Sequence, residues 1–446
     1  STMERITDNS KKENMSTNVI QNSRPFFHYS KPPETIAVVG MSCQFPGAST
    51  LDDYWDLLLH GKSAISEIPE NCWGVQTNFY AGLLENIYNF DPEFFLISKE
   101  DAAIMDPQAI LLLRESLKTI YHAGYRHKDI DGENIGVYIG GRGQYCLDNK
   151  LLATARNPIM AVGQNYLSAN ISQFYNINGP SLVIDTACSS ALVAMDLAVE
   201  ALQHGKIKSA FVGGVNLLTN PAAHQLFSNR GLLQKNGEFH ILDQRASGIV
   251  LGEGVGMVYL KPLTLAEQDG DTVYATISSI TVNNDGRTPG PASPNIETQK
   301  SVMKHALQRS NCQAQDVTYI EINGSGSVVT DLIEIKAVSS TYRTGIQNPC
   351  CLGSMKPNIG HPLCAEGIAA FIKVCLMLSH QTIVPFLSGQ CPLTHFSLKE
   401  KNFILPRKPM SIYSPYAAIN SFADGGTNVH AILRHYQPAL ASLGRV

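Results

Sequence analysis

Polar and apolar positions along the chain alternate between two rhythms. Short runs rich in valine, isoleucine and glycine read as buried strands over 35–41, 134–141, 181–185, 210–215 and 258–261, and residues 191–202 have helical spacing. Downstream the rhythm repeats. A long strand is predicted over 273–282, an amphipathic helix over 296–308 and a strand over 317–322. A nearly all-apolar, hence buried, helix follows over 367–379, then strands over 416–422 and 428–434 on either side of a glycine turn. Strands alternating with helices predict an α/β architecture with helix-covered sheets. Similarity between the two stretches is too weak to prove a duplication.

The ends break the pattern. Residues 1–34 are rich in Ser, Asn, Lys and Thr and read as a linker or partly ordered arm following another domain, and residues 435–446 as a tail or linker stump. That leaves 35–434 as the folded domain. The chain has 446 residues, 44% hydrophobic and 16% charged, enough to bury a core without disulfides or metals. A formal net charge of −4 argues against general nucleic-acid binding, and no apolar run reaches the ~18 residues of a membrane span. Ten cysteines without a Cys-x-x-Cys, and no signal peptide, point to reduced thiols and a cytoplasmic location. Scattered histidines lack metal-ligand spacing. The Gly252-x-Gly254-x-Gly256 run precedes a strand instead of opening a helix, which argues against dinucleotide binding.

Three segments carry candidate chemistry. Asp185-Thr186-Ala187-Cys188-Ser189-Ser190-Ala191 puts a cysteine at a strand-to-helix junction. A helix starting there favours thiolate, although a buried core cysteine fits the same residues. Gly353-Ser354-Met355-Lys356-Pro357-Asn358-Ile359-Gly360-His361 offers a histidine able to exchange protons with that cysteine, and a lysine whose charge could hold a second residue or a water. A single histidine in a glycine-rich loop is more often structural. Asn420-Ser421-Phe422-Ala423-Asp424-Gly425-Gly426-Thr427-Asn428 could aim a backbone N–H at a thioester carbonyl, or be a plain glycine hairpin.

The order and spacing of these segments resemble the β-ketoacyl synthase (ketosynthase) family, especially domains of modular polyketide synthases, over almost the whole of 35–434. Ala37-Val38-Val39-Gly40-Met41-Ser42-Cys43-Gln44-Phe45-Pro46-Gly47-Ala48, Met105-Asp106-Pro107-Gln108, Gly179-Pro180 and Leu251-Gly252-Glu253-Gly254-Val255-Gly256 extend the resemblance. It implies an α/β thiolase fold of two similar βαβαβαββ halves in α-β-α-β-α layers. It also implies a homodimer working with acyl carrier proteins and neighbouring synthase domains. No cofactor is implied, since substrates arrive on the phosphopantetheine of the carriers. Cys188 matches the nucleophile, His361 one of two histidines and Lys356 the supporting lysine. The backbone N–H groups of Cys188 and Asp424 match the oxyanion hole, and Ser325, Ser327, Thr427 and Asn428 the pantetheine contacts.

One departure decides the expected chemistry. Asn323 stands where the family motif His-Gly-Thr-Gly-Thr begins, while Asp331 and Glu334 of its continuation are retained. Thr330 and Leu332 replace a glycine and a proline, implying a loop released from its usual constraint. Asparagine donates a hydrogen bond but neither becomes cationic nor shuttles a proton near neutral pH. The resemblance therefore implies a condensation-incompetent, non-elongating ketosynthase, a subtype of assembly lines whose acyltransferases act in trans. An elongating synthase and a catalytically silent scaffold are the alternatives. A decarboxylase ranks behind them, because Cys188 is intact. Asp424 replaces a gating phenylalanine of fatty-acid relatives, Ile110 and Arg114 are expected to alter a local ion pair, and 72–84 is short near the entrance.

Overall fold

The computed structural model describes residues 33–438, so the N-terminal arm and the C-terminal tail lie, but for a few flanking residues, outside the described residues. The described elements belong to one compact unit beginning at Glu34. Each run predicted as a strand forms one, and Cys350–Gly353 adds a further strand. In the first half these are β1 (Ile36–Gln44), β2 (Ile135–Gly140), β3 (Ser181–Ile184), β4 (Ser209–Asn216) and β5 (Gly254–Pro262). The second half contributes β6 (Ala275–Asn284), β7 (Val317–Glu321), β8 (Cys350–Gly353), β9 (Tyr416–Phe422) and β10 (Thr427–Arg434).

Their order shows the duplication that the sequence conceals. The first five strands lie as β3-β2-β4-β5-β1, and the second five as β8-β7-β9-β10-β6. The directions match as well. β2 runs parallel to β3 and β4, β7 parallel to β8 and β9, and the remaining pairs of each half are antiparallel. The halves join through a short antiparallel pairing of Ile36–Val38 on β1 with 275–277 on β6. Helices α1 (Pro107–His122), α2 (Tyr166–Tyr175) and α3 (Ser190–Gln203) connect the first set. Helices α4 (Ile296–Ser310), α5 (Val328–Tyr342) and α6 (Glu366–His380) connect the second. Each half is βαβαβαββ, the thiolase arrangement.

The innermost layer is α3 against α6, and every residue of α6 from Glu366 to Leu378 is buried. The stretch Leu363–His380 is long and apolar enough to cross a membrane, but 83% of it is buried within the protein, as befits a central core helix. β5 extends well beyond the predicted run because Gly254 and Gly256 carry no apolar side chain to signal it. A Cβ on Gly256 would come within 2.9–3.1 Å of Ile368 and Ile372, so the glycine run serves close packing of α6 on the sheet. Helix α5 escaped the periodicity for a different reason. Asp331 and Glu334 are buried on its inward face, so its polar residues point where apolar ones are expected.

Arg114 on α1 forms no ion pair among the described residues; its guanidinium donates to the carbonyl oxygens of Asn86 (3.2 Å) and Ile87 (3.3 Å). Within 72–84, Trp73 and Phe79 pack on His224 of the helix Ala222–Asn229. The same helix carries Phe227, which faces the cavity described next.

Candidate active site

The nucleophile is presented by a sharp turn. After β3, Asp185 accepts the Ala187 N–H (3.0 Å), Ala187 takes a left-handed φ of +56°, and a 3-10 turn over Ala187–Ser189 leads into α3. Ser190 locks the turn, its hydroxyl accepting the Thr186 N–H (2.9 Å) and donating to the Ala187 carbonyl (2.5 Å). Gly140 at the end of β2 lets α3 come this close, since a Cβ there would lie 2.4 Å from the Ala191 nitrogen. The second half repeats the device. Leu363 has φ of +45°, and a 3-10 turn over Leu363–Ala365 opens α6 with Cys364 where the first half has Cys188.

His361 Nε2 lies 3.4 Å from Cys188 Sγ. Its other ring nitrogen, Nδ1, faces the Leu363 N–H at 3.2 Å and must accept. A neutral His361 therefore carries its proton on Nε2 and points it at the sulfur. Burial and then the nearby Lys356 charge hold this histidine well below its usual range, so it stays neutral. The expectation of a standing thiolate at Cys188 is corrected. Burial, and after it the Glu366 charge, push the thiol up against the lowering effect of Lys356.

Lys356 is almost fully buried and forms an ion pair with Glu366. Its ammonium also donates to the carbonyl oxygens of Asn323 (2.6 Å) and Gly324 (3.4 Å). Glu366, raised by burial, accepts the Ser421 hydroxyl at 2.9 Å.

The Asn323 loop is pinned, contrary to the expectation of release. Glu334 accepts the N–H groups of Asn323 (2.7 Å) and Gly324 (2.9 Å) and the Asn420 side-chain amide (3.0 Å). Asp331 accepts both the N–H (2.8 Å) and the hydroxyl (3.1 Å) of Ser325. Burial pushes Glu334 up to about 7 and Asp331 to about 6. The two retained carboxylates do the anchoring, so replacing glycine and proline by Thr330 and Leu332 does not free the loop. Asn323 Oδ1 accepts the Phe422 N–H at 3.0 Å. That bond fixes the amide and turns its Nδ2 away from the Phe422 backbone, with no partner among the described residues.

These groups meet at a cavity of about 270 Å³ lined by Cys188, Asn323, Ser325, Ser327, Lys356, His361, Asp424 and Asn428, with Phe227, Leu232, Ile249 and Phe422 as apolar wall. Thr427 is not among the lining residues; its hydroxyl accepts the Asn284 side chain at 3.4 Å. Asp424 is exposed at the rim. Among the described residues, the backbone N–H groups of Cys188 and Asp424 have no hydrogen-bond partner. Glu366 and Asp285 went unnoticed as site residues in the sequence, because a carboxylate reveals its role only through the groups that converge on it. No group of three or more His, Cys, Asp or Glu among the described residues could hold a metal ion.

Two family models match the chain: the N-terminal domain of beta-ketoacyl synthases over residues 33–266 and the C-terminal domain over 274–390. This chain belongs to the beta-ketoacyl synthase family. It is 52% identical over 406 residues to polyketide synthase PksL of Bacillus subtilis, covering 91% of this chain but 9% of that protein. It spans about a tenth or less of the three Bacillus polyketide synthases it matches. Among solved structures it resembles the oxazolomycin ketosynthase domain OzmH KS8 of Streptomyces albus, with 46% identity, a TM-score of 0.77, and coverage of 92% of this chain and 100% of that one. It also resembles the ketosynthase from module 6 of the Bacillus subtilis bacillaene synthase, with 34% identity, a TM-score of 0.83, and coverage of 91% and 73%. The chain is thus a ketosynthase domain of the modular polyketide synthase type.

A raised thiol has a pH signature. The rate at which iodoacetamide alkylates Cys188, corrected with a Cys188→Ala control, should still be climbing above pH ~8.5, the midpoint of a free thiol. A plateau near neutrality would contradict the neutral resting site.

Proposed function

We propose that this ketosynthase domain moves acyl chains between carrier proteins without elongating them. Cys188 sulfur attacks the carbonyl carbon of a carrier-borne thioester, the carbon–sulfur bond to the carrier breaks, and the Cys188 proton ends on the departing carrier thiol. The reverse step delivers the chain to a second carrier thiol. The free N–H groups of Cys188 and Asp424 suit the oxyanion of both steps. The Nε2–H of His361 shares the developing negative charge on sulfur. No cofactor enters the balance, and a thiol nucleophile suits a reducing cytoplasm.

The observation that carries the proposal is Asn323 in the cavity wall, 8% exposed and with its amide tied to the Phe422 backbone. Decarboxylation of a malonyl group needs stabilisation of the developing enolate, and condensation needs two donors converging beside the cysteine. His361 remains. Asn323 offers a donor on a shorter side chain with no proton to exchange. Losing one such donor typically slows a reaction ~10²–10³-fold.

Partners follow from the same proposal: carrier proteins at the cavity mouth, neighbouring synthase domains in a trans-acyltransferase assembly line, and a second copy of the chain. For the second copy, β3 ends the sheet with an unpaired edge, and Leu182 on it is 40% exposed. On the segment between β2 and β3, Leu147 (86%) and Ile159 (61%) are also exposed. Such an edge invites strand pairing with a copy of itself.

Asn323→His tests the assignment directly. Asn Oδ1 occupies the place a histidine Nδ1 would take against the Phe422 N–H, so the ring should extend its Nε2 into the cavity. Malonyl-dependent carbon–carbon bond formation should rise by about 10²-fold or more, with acyl transfer retained. Equal condensation by both proteins would refute the proposal. For the dimer, Leu182→Asp should convert a light-scattering mass of two chains into one, and a wild-type monomer would exclude the pairing.

A further inference from the structure

Among the described residues, Lys356 is the only lysine or arginine in the cavity wall, and the other charged residues there, Asp285, Glu334 and Asp424, are acids. The Lys356 side chain is 2% exposed, and that of Glu366, which meets it from the first turn of α6, is 3% exposed. An ammonium has three N–H donors. Here they go to the Glu366 carboxylate and to the carbonyl oxygens of Asn323 (2.6 Å) and Gly324 (3.4 Å). Both carboxylate oxygens of Glu366 are engaged in turn, one by Lys356 and the other by the Ser421 hydroxyl at 2.9 Å. The cation is both neutralised and used up, with no donor left for a guest.

The acids in the wall are held by neutral donors. Glu334 accepts the two backbone N–H groups of the Asn323 loop and the Asn420 amide. Asp285 accepts the Thr298 hydroxyl (2.6 Å) and the Asn428 amide (2.7 Å). The donors that stay uncommitted around the cavity are neutral as well: Asn323 Nδ2 and the backbone N–H groups of Cys188 and Asp424. Such donors suit the carbonyl oxygen of an uncharged chain. A carboxylate entering this space would lose its water and gain no cation, which is the costly way to bury a charge.

We infer that Glu366 is a charge filter for the acyl group: by occupying Lys356 it closes the space beside Cys188 to chains that bear a carboxylate and leaves it open to uncharged ones. The inference rests on the transfer function proposed above and names the substrate class of that function. Glu366 need not touch the chain. It is a positioning residue that acts through Lys356, and in a poorly screened interior the field of a cation, or its cancellation, is felt without contact.

The test follows acylation of Cys188 by intact-protein mass from two pantetheine thioesters of one shape: adipyl, which ends in a carboxylate, and adipamyl, which ends in an amide. The wild type should react about tenfold faster with the adipamyl thioester. Glu366→Gln keeps an acceptor for Lys356 and for Ser421 but removes the negative charge. It should raise the adipyl rate relative to the adipamyl rate about tenfold, a modest effect for one unit charge in a partly buried site. Each ratio is taken on a single protein sample, so a lowered folded fraction cancels from it, and the wild-type ratio decides even if the variant does not fold. Asp424→Asn, which removes the exposed charge at the rim, should shift the ratio less than Glu366→Gln does. Equal rates in the wild type, or the wild-type ratio persisting in folded Glu366→Gln, would overturn the inference and leave the transfer function standing. A wild type acylated by neither thioester would overturn the transfer function and this inference with it. A carbon–carbon bond formed from malonyl-carrier while the adipamyl preference holds would overturn only the non-elongating assignment.

Discussion

Lys356 sits in an enclosed network that ties four otherwise separate segments together, two of them directly at its ammonium. It holds Glu366 at the start of α6 and the carbonyl oxygens of Asn323 and Gly324 in the loop after β7. Through Glu366 it holds the Ser421 hydroxyl on β9, and Ser421 in turn reaches the Cys188 carbonyl at 3.4 Å. A buried charge of this kind survives only while every partner is in place, and stranding one member of such a pair costs about 3–5 kcal/mol. The same network that holds the loops shapes the electrostatics of the cavity. Its cation helps keep His361 neutral, and its carboxylate helps keep Cys188 protonated.

The second carboxylate cluster explains how the site tolerates Asn323. Glu334 and Asp331 grip the backbone of the loop, not the side chain at its head. Glu334 reaches on through Asn420 to His430 (2.6 Å) and Tyr342 (2.5 Å), an entirely buried chain. The main anchors of the loop are therefore backbone bonds that do not involve the side chain at position 323. Position 323 can change without dismantling this backbone anchoring, and neither the sulfur nor the backbone donors of the cavity are held by its side chain.

Much of this was legible in the chain. The strands were readable because valine and isoleucine runs ending in glycine have few alternative uses, and β9 matches its predicted span of 416–422. Cys188, His361, Lys356 and Asn323 were readable because their motifs are local. Helix α5 was hidden by inward-facing acids, β5 was shortened by its glycines, and the duplication survives in strand order and turn geometry after the side chains have diverged. The protonation state of Cys188 could not be read from the motif, since a helix start and a burial penalty act in opposite directions and only the packing decides between them.

The central claim is that the protein carries an acyl chain and hands it on unextended. Protein acylated at Cys188 should be divided between unloaded carrier and malonyl-carrier, and the masses of the carriers read. Acyl-carrier from the first and no β-ketoacyl-carrier from the second is the predicted result. A β-ketoacyl product at a rate comparable to transfer would contradict it and make Asn323 a tolerated substitution in a working elongase.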